Sequence, residues 1–176
     1  MRRLHAAALV TLDGVMQDPG GFGETAEGGW AAGYFDDEAV ADSIEQLMGC
    51  DTFLCGRVTY ERLFQAWSGA SGEYLQLINQ MPKLVASTTL TGRLDWNATV
   101  IDGDIAERVS ALKQEPGKDV VLYGSATLVR TLIDHNLIDT YKLSIFPFTL
   151  VRGRRLFPAD APPVSLHLTR VRTLKT

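Results

Sequence analysis

Two hydrophobic periods alternate along this chain. Short apolar runs that read as buried strands occur at Leu4 to Val10, Thr52 to Cys55, Lys83 to Ser87, Ala98 to Ile101 and Val120 to Leu122. Between them the apolar positions recur at helical spacing. Val40, Ile44, Leu47 and Met48 follow the capping pair Asp36-Asp37, and Gly49 closes that helix. A second helix leaves the Gly56 turn and runs to Trp67, and a short one spans Glu73 to Asn79, stopped by Pro82. Ile105, Val109 and Leu112 follow Asp104-x-x-Glu107, which has capping-box spacing, and Pro116-Gly117 ends that segment. Leu128, Val129, Leu132 and Ile133 mark a last helix ending near Asn136. The tail differs: Thr140 to Phe146 and Val164 to Thr173 read as strands with no helix between them. Strand–helix alternation followed by a strand pair predicts one α/β domain over 1–176. Its central sheet is mostly parallel, flanked by helices, with antiparallel C-terminal strands.

The stretch Val120-Val121-Leu122-Tyr123-Gly124-Ser125-Ala126-Thr127-Leu128 organises the rest. A buried strand breaks at Gly124, and Ser125 stands where a helix N-cap is wanted. Strand, small-residue turn and helix N-terminus aim free N–H groups and the positive end of a helix dipole at one point, a seat for an anion. A second junction of the same kind runs through Phe53-Leu54-Cys55-Gly56-Arg57-Val58-Thr59. Ligands of open α/β sheets bind outside the carboxyl ends of the strands. Asp13-Gly14, Gly56 to Thr59, Ser87 to Thr89 and Gly124 to Thr127 all fall at that edge. Together they offer close backbone approach, hydroxyls and, in Arg57, a partner for a phosphate dianion. Neither G-x-G-x-x-G nor a P-loop occurs.

Residues 17 to 33 form a long Gly-rich segment without periodicity, the kind of loop that carries function or mobility. Trp30, Tyr34 and Phe35 near its end are too apolar for a plain linker. They are core anchors or pocket walls, and Trp30 and Phe35 are the substrate-side candidates.

The net charge of −4 argues mildly against general nucleic-acid binding. The charge is uneven: from Lys142 onward there are seven basic residues and one acidic. They lack the interleaved aromatics of a nucleic-acid face, so pairing with acidic neighbours is expected instead. Cys50 and Cys55 give no metal-ligand spacing, and Cys55 reads as a small buried thiol. No signal peptide or membrane-length apolar run is apparent, so a cytoplasmic setting without membrane partners is the expectation.

Six motifs in register resemble the dihydrofolate reductase-like superfamily, most closely the C-terminal reductase domain of bacterial riboflavin biosynthesis and its stand-alone relatives. They are Leu12-Asp13-Gly14, Gly56-Arg57-x-Thr59-Tyr60-Glu61, Lys83-x-Val85-x-Ser87-Thr88-Thr89, Tyr123-Gly124-Ser125, Leu137-Ile138-Asp139 and Gly153-x-x-Leu156-Phe157. The resemblance implies a dihydrofolate reductase-like fold, NADPH as hydride donor and a homodimer. It implies a small heterocyclic or carbonyl substrate, in chemistry similar to 5-amino-6-(5-phosphoribosylamino)uracil reductase or dihydrofolate reductase. By the same resemblance Gly56, Arg57 and Thr59 hold the 2′-phosphate and pyrophosphate, and Ser87 and Thr88 sit beside the adenosine phosphate. Gly124, Ser125, Ala126 and Thr127 lie under the pyrophosphate and nicotinamide ribose, and Asp13-Gly14 opens the loop over the nicotinamide. Reduction also needs a proton, for which Asp36 and Asp37, then Asp13, are the carboxylate candidates; helix capping is their competing role. One departure is Val151, where the family usually has a glycine that takes φ > 0. Another is the lack of a deaminase partner domain, which leaves riboflavin synthesis one option among several. The rival reading is a non-catalytic NADP(H)-binding or small-molecule-sensing protein of the same fold.

Overall fold

The computed structural model describes residues 1–161 and 163–175. Its strands are β1 (Leu4–Thr11), β2 (Cys50–Gly56), β3 (Lys83–Ala86), β4 (Arg93–Leu94), β5 (Ala98–Val100), β6 (Asp119–Leu122) and β7 (Thr140–Phe146). Its helices are α1 (Asp37–Met48), α2 (Arg57–Trp67), α3 (Glu73–Gln80), α4 (Ile105–Gln114) and α5 (Ala126–Asp134), with a single 3-10 turn at Ala32–Tyr34. The strands form one sheet in the order β4-β5-β3-β2-β6-β1-β7. Every pairing is parallel except β4 with β5. The carboxyl ends of β1, β2, β3, β6 and β7 therefore share one edge.

The strand period of two divides the core between the sheet's faces. Val120 and Leu122 of β6 join Leu4, Ala6, Ala8 and Val10 of β1 under α4 and α5. Val121 turns the other way and joins Phe53, Cys55 and Val85 under α1, α2 and α3. Both faces are covered, which is why these strands read as continuous apolar runs. Lys83 is the exception, a buried lysine at the start of β3. Its ammonium donates to the carbonyls of Ile78 and Met81 at 2.7 Å each and lies 4.3 Å from the Trp96 ring centroid. It thus closes the C-terminal end of α3.

The tail departs from the expected pair of antiparallel strands. β7 runs parallel to β1 over seven partners, His5 with Thr140 to Thr11 with Phe146. The reason is the connection: α5 returns the chain from β6 to β7 as a strand–helix–strand crossover, which makes its strands parallel. The antiparallel pair is instead β4–β5 at the opposite edge. Val164 to Thr173 forms no strand, and Val164, Leu166, Leu168 and Val171 are exposed. Apolar alternation makes a strand only where there is a face to bury it. This segment is held by charge instead: Arg172 pairs with Glu38 at 2.8 Å and Asp42 at 3.4 Å on α1.

Candidate functional site

β2 and β6 are neighbours, and each ends in a small-residue turn from which a helix rises: Gly56 into α2, Gly124-Ser125 into α5. The turns touch. The Gly56 N–H donates to the Gly124 carbonyl at 3.3 Å, and a Cβ on Gly56 would lie 2.7 Å from Ser125 Oγ. Gly124 has φ +55, and a Cβ there would meet Thr59 Oγ1 at 3.2 Å. Glycine at 56 admits the neighbouring turn, and glycine at 124 meets a left-handed backbone.

How the helices begin separates this site from the rest of the fold. Asp36 caps α1, its carboxylate accepting from the Ala39 N–H at 2.8 Å. Asp104 caps α4, accepting from Ala106 and Glu107 at 2.9 Å each. α3 carries Glu73 in its first turn. Among the α-helices of the described residues, only α2 and α5 have neither a side-chain cap nor an acidic residue in the first turn. Ser125 occupies the N-cap position, as expected, yet its side chain makes no capping bond. Two positive helix ends with unsatisfied N–H groups therefore meet at one place, and both are chemically suited to a polyanion.

A cavity of about 710 Å³ opens beside them. Thr59 and Gly124 to Thr127 form part of its wall, as does Phe35 of the two substrate-side residues. Gly56, Arg57, Ser87 and Thr88 are not on that wall. Arg57 is exposed and its Nη1 donates to both carboxylate oxygens of Glu61 at 3.0 Å, and Ser87 Oγ accepts from the Thr89 and Leu90 N–H groups. Trp30 proves an anchor rather than a pocket wall. Its ring meets Phe146 and Phe148 edge-on, and its indole N–H donates to the Gln17 carbonyl at 2.8 Å.

The three carboxylates do not line the cavity. Asp36 is spent on the α1 cap, and Asp37 lies in that helix's first turn. Asp13 is a latch: it accepts from Thr11 Oγ1 at 2.6 Å and from the Leu150 and Val151 N–H groups, and it pairs with Arg155. Led by the Thr11 hydrogen bond and working against desolvation, these contacts hold its carboxyl below the usual range. They also pin Val151, which takes φ +65, a conformation costly for a β-branched residue.

Other residues at the site were not singled out from sequence. Asp18 is the hub of the Gly-rich segment, its buried carboxylate accepting from the N–H groups of Phe22, Glu24 and Thr25. Val40 and Ile44, which read as core, face the cavity instead. Phe22, Trp67, Tyr74 and Tyr123 give it an aromatic wall, with Phe22–Trp67 and Trp67–Tyr74 in edge contact at 6.4 and 5.9 Å. Of its three cations, Lys142 is paired with Asp42 and Arg154 with Glu24, while half-buried Arg62 has no partner among the described residues.

A family model described as RibD C-terminal domain matches residues 2–176. The protein YyaP of Bacillus subtilis (strain 168), itself uncharacterised, is 32% identical over 184 residues, covering 99% of this chain and 90% of YyaP. A Shewanella sp. PV-4 protein assigned to riboflavin biosynthesis superposes with a TM-score of 0.70 at 19% identity, over 96% of this chain and 90% of that one. Schistosoma mansoni dihydrofolate reductase superposes with a TM-score of 0.54 at 13% identity, over 91% and 82%. The fold is dihydrofolate reductase-like, and the chain belongs to the RibD C-terminal domain family.

Proposed function

We propose that this protein is an NADPH-dependent reductase that delivers hydride to a small heterocyclic or carbonyl substrate. The observation that carries the reading is the meeting of α2 and α5, the two α-helices whose first turns hold no carboxylate, at the wall of the cavity. Backbone N–H groups of Gly124 to Thr127 and the Thr59 hydroxyl would hold the diphosphate. Arg57, whose pairing with Glu61 is exposed and cheap to exchange, would take the 2′-phosphate, with Ser87 and Thr88 on the adenosine side. The cofactor would supply two electrons and a hydrogen to an electrophilic carbon. The Gly-rich segment, ordered by Asp18, would exclude water, and the aromatic wall would bind a planar substrate. A cytoplasmic homodimer accompanies this reading: β7 is an edge strand with Ile145 exposed, and a two-fold partner would cover it. Sedimentation as a monomer at micromolar concentration would count against the dimer.

The second reading, an NADP(H)-binding sensor without turnover, draws on the absence of Asp13, Asp36 and Asp37 from the cavity wall. Two measurements separate the readings. Arg57→Ala should weaken NADPH by about 1.5–3 kcal/mol for a lost charge-assisted contact while leaving NADH nearly unchanged. Equal loss for both makes Arg57 structural. NADPH oxidation against a panel of pterins, quinones and aldehydes then distinguishes the reductase from the sensor, which binds without consuming cofactor.

A further inference from the structure

Asp13, Asp36 and Asp37 are off the cavity wall; of the carboxylates on it, Asp18 accepts from its own loop's N–H groups, Glu24 pairs with Arg154, and Glu73 is exposed in the first turn of α3. A reduction also requires a proton, which a group already protonated at neutral pH can supply. The aromatic wall contains one. Tyr74, on α3, and Tyr123, the residue that follows β6, place their hydroxyl oxygens 3.1 Å apart. Both rings line the cavity, and both hydroxyls have no other partner among the described residues. Two hydroxyls joined by one hydrogen bond use one proton between them, whichever donates, and the second remains free. Tyr123 also immediately precedes Gly124 and Ser125, which line the same cavity at the helix-end cradle. Phe53 backs its ring at 5.0 Å, and Trp67 meets the Tyr74 ring edge-on, so neither phenol is an idle surface group.

We propose that the Tyr74–Tyr123 hydroxyl pair orients the substrate and gives it its proton, and that the substrate is a planar compound reduced at a C=O or C=N bond. The proposal rests on the reductase reading. Hydride from a nicotinamide cofactor forms a new C–H bond as the π bond of C=O or C=N opens onto the heteroatom. That atom takes the free phenolic proton, the pair keeps the other proton as an O–H···O⁻ bond, and solvent restores the lost one after product leaves. Substrate gains two electrons and two hydrogens, and the cofactor is oxidised. Burial pushes the Tyr123 hydroxyl up to about 12 and Tyr74 well above its ordinary value. The pair is therefore protonated at neutral pH, yet a phenol remains a stronger acid than the alcohol formed, so transfer to a nascent alkoxide runs downhill.

The test compares two probes of one shape, 2-naphthaldehyde and 2-methylnaphthalene, binding to the cofactor-free protein and read by quenching of tryptophan fluorescence. Tyr123→Phe should weaken the aldehyde about tenfold, the loss of one buried hydrogen bond, and leave the hydrocarbon within twofold. Tyr74→Phe should give the same selectivity with a smaller loss, and it carries the comparison if Tyr123→Phe does not fold. Equal effects on both probes overturn the proposal. With NADPH and a carbonyl compound that the wild type reduces, Tyr123→Phe should lower kcat by about a hundredfold at unchanged NADPH affinity. An undiminished kcat overturns the proton-donor role while the reductase reading stands. Aldehyde selectivity in a protein that consumes no NADPH overturns the reductase reading, and the proton-donor role with it, but supports recognition of the carbonyl by the pair.

Discussion

Gly124→Ala puts one methyl group into the cradle where the diphosphate is expected. Its backbone cost can be bounded: holding an L residue at φ +55 costs about 1–2 kcal/mol, and stiffening the unfolded chain returns about 0.4–1 kcal/mol. The new Cβ would lie 3.2 Å from Thr59 Oγ1, so Thr59 must yield by a few tenths of an ångström. A net loss of about 1 kcal/mol lowers the melting temperature of a chain this size by about 2–4 °C. The protein stays folded. Gly103→Ala is the matched control, because Gly103 has φ +80 and nothing within 4 Å of its missing Cβ. It carries the same backbone cost far from the cradle. Calorimetric melting and NADPH titration on both variants separate strain from obstruction: similar melting shifts, but NADPH weakened more than about tenfold only in Gly124→Ala, a difference of at least 1.4 kcal/mol. If the two variants bind NADPH within twofold of one another, the anion seat is refuted.

Val151→Gly should stabilise the protein, since relief of a positive φ is worth about 1–3 kcal/mol against about 0.5–1 kcal/mol of added chain entropy; a lower melting temperature would contradict it. Asp36→Ala should lower stability by about 0.5–2 kcal/mol through the lost α1 cap, without abolishing NADPH turnover, and a dead but fully folded variant would restore Asp36 as a proton donor. Burial pushes the Lys83 ammonium from its ordinary 10.5 down to about 8, so between these values the unfolded chain binds more protons and the wild type gains stability as pH rises. Lys83→Met, which strands the Ile78 and Met81 carbonyls, should cost about 1–3 kcal/mol. The gap between wild type and variant should widen from pH 8 to 10.5; denaturant melts showing a constant gap would remove the charge from the argument.

What sequence could and could not reveal follows from how far apart the interacting residues lie. The strand at Val120 and the glycine turns at 56 and 124 were legible because their causes are local: an apolar run covered on both faces, and backbone that must approach its neighbour closely. β7 was legible as a strand but not in direction, since its direction depends on α5 serving as a crossover. Val40 and Ile44 show a different limit. Helical periodicity identifies an apolar face, not whether protein or ligand covers it. The Tyr74–Tyr123 pair was hidden because its members lie 49 residues apart on separate elements. Asp18 was hidden because a carboxylate that accepts its own loop's N–H groups looks, in sequence, like an ordinary turn residue.

The distribution of carboxylates joins these observations. A chain with net charge −4 repels a polyanion at long range, so any seat for one must be built locally. The acids nearest the β1 and α1 loops are already committed: Asp13 to the Leu150–Val151 backbone and Arg155, Asp18 to its own loop, Asp36 to a helix cap. The two helix ends left without an acid are adjacent, and each offers an anion about 0.3–1 kcal/mol through its dipole, more where water is excluded. A lysine-lined groove would attract any polyanion. N–H groups fixed by two touching turns would accept only one shaped to reach both helix ends at once, so on the proposed reading geometry would supply the selectivity that net charge cannot.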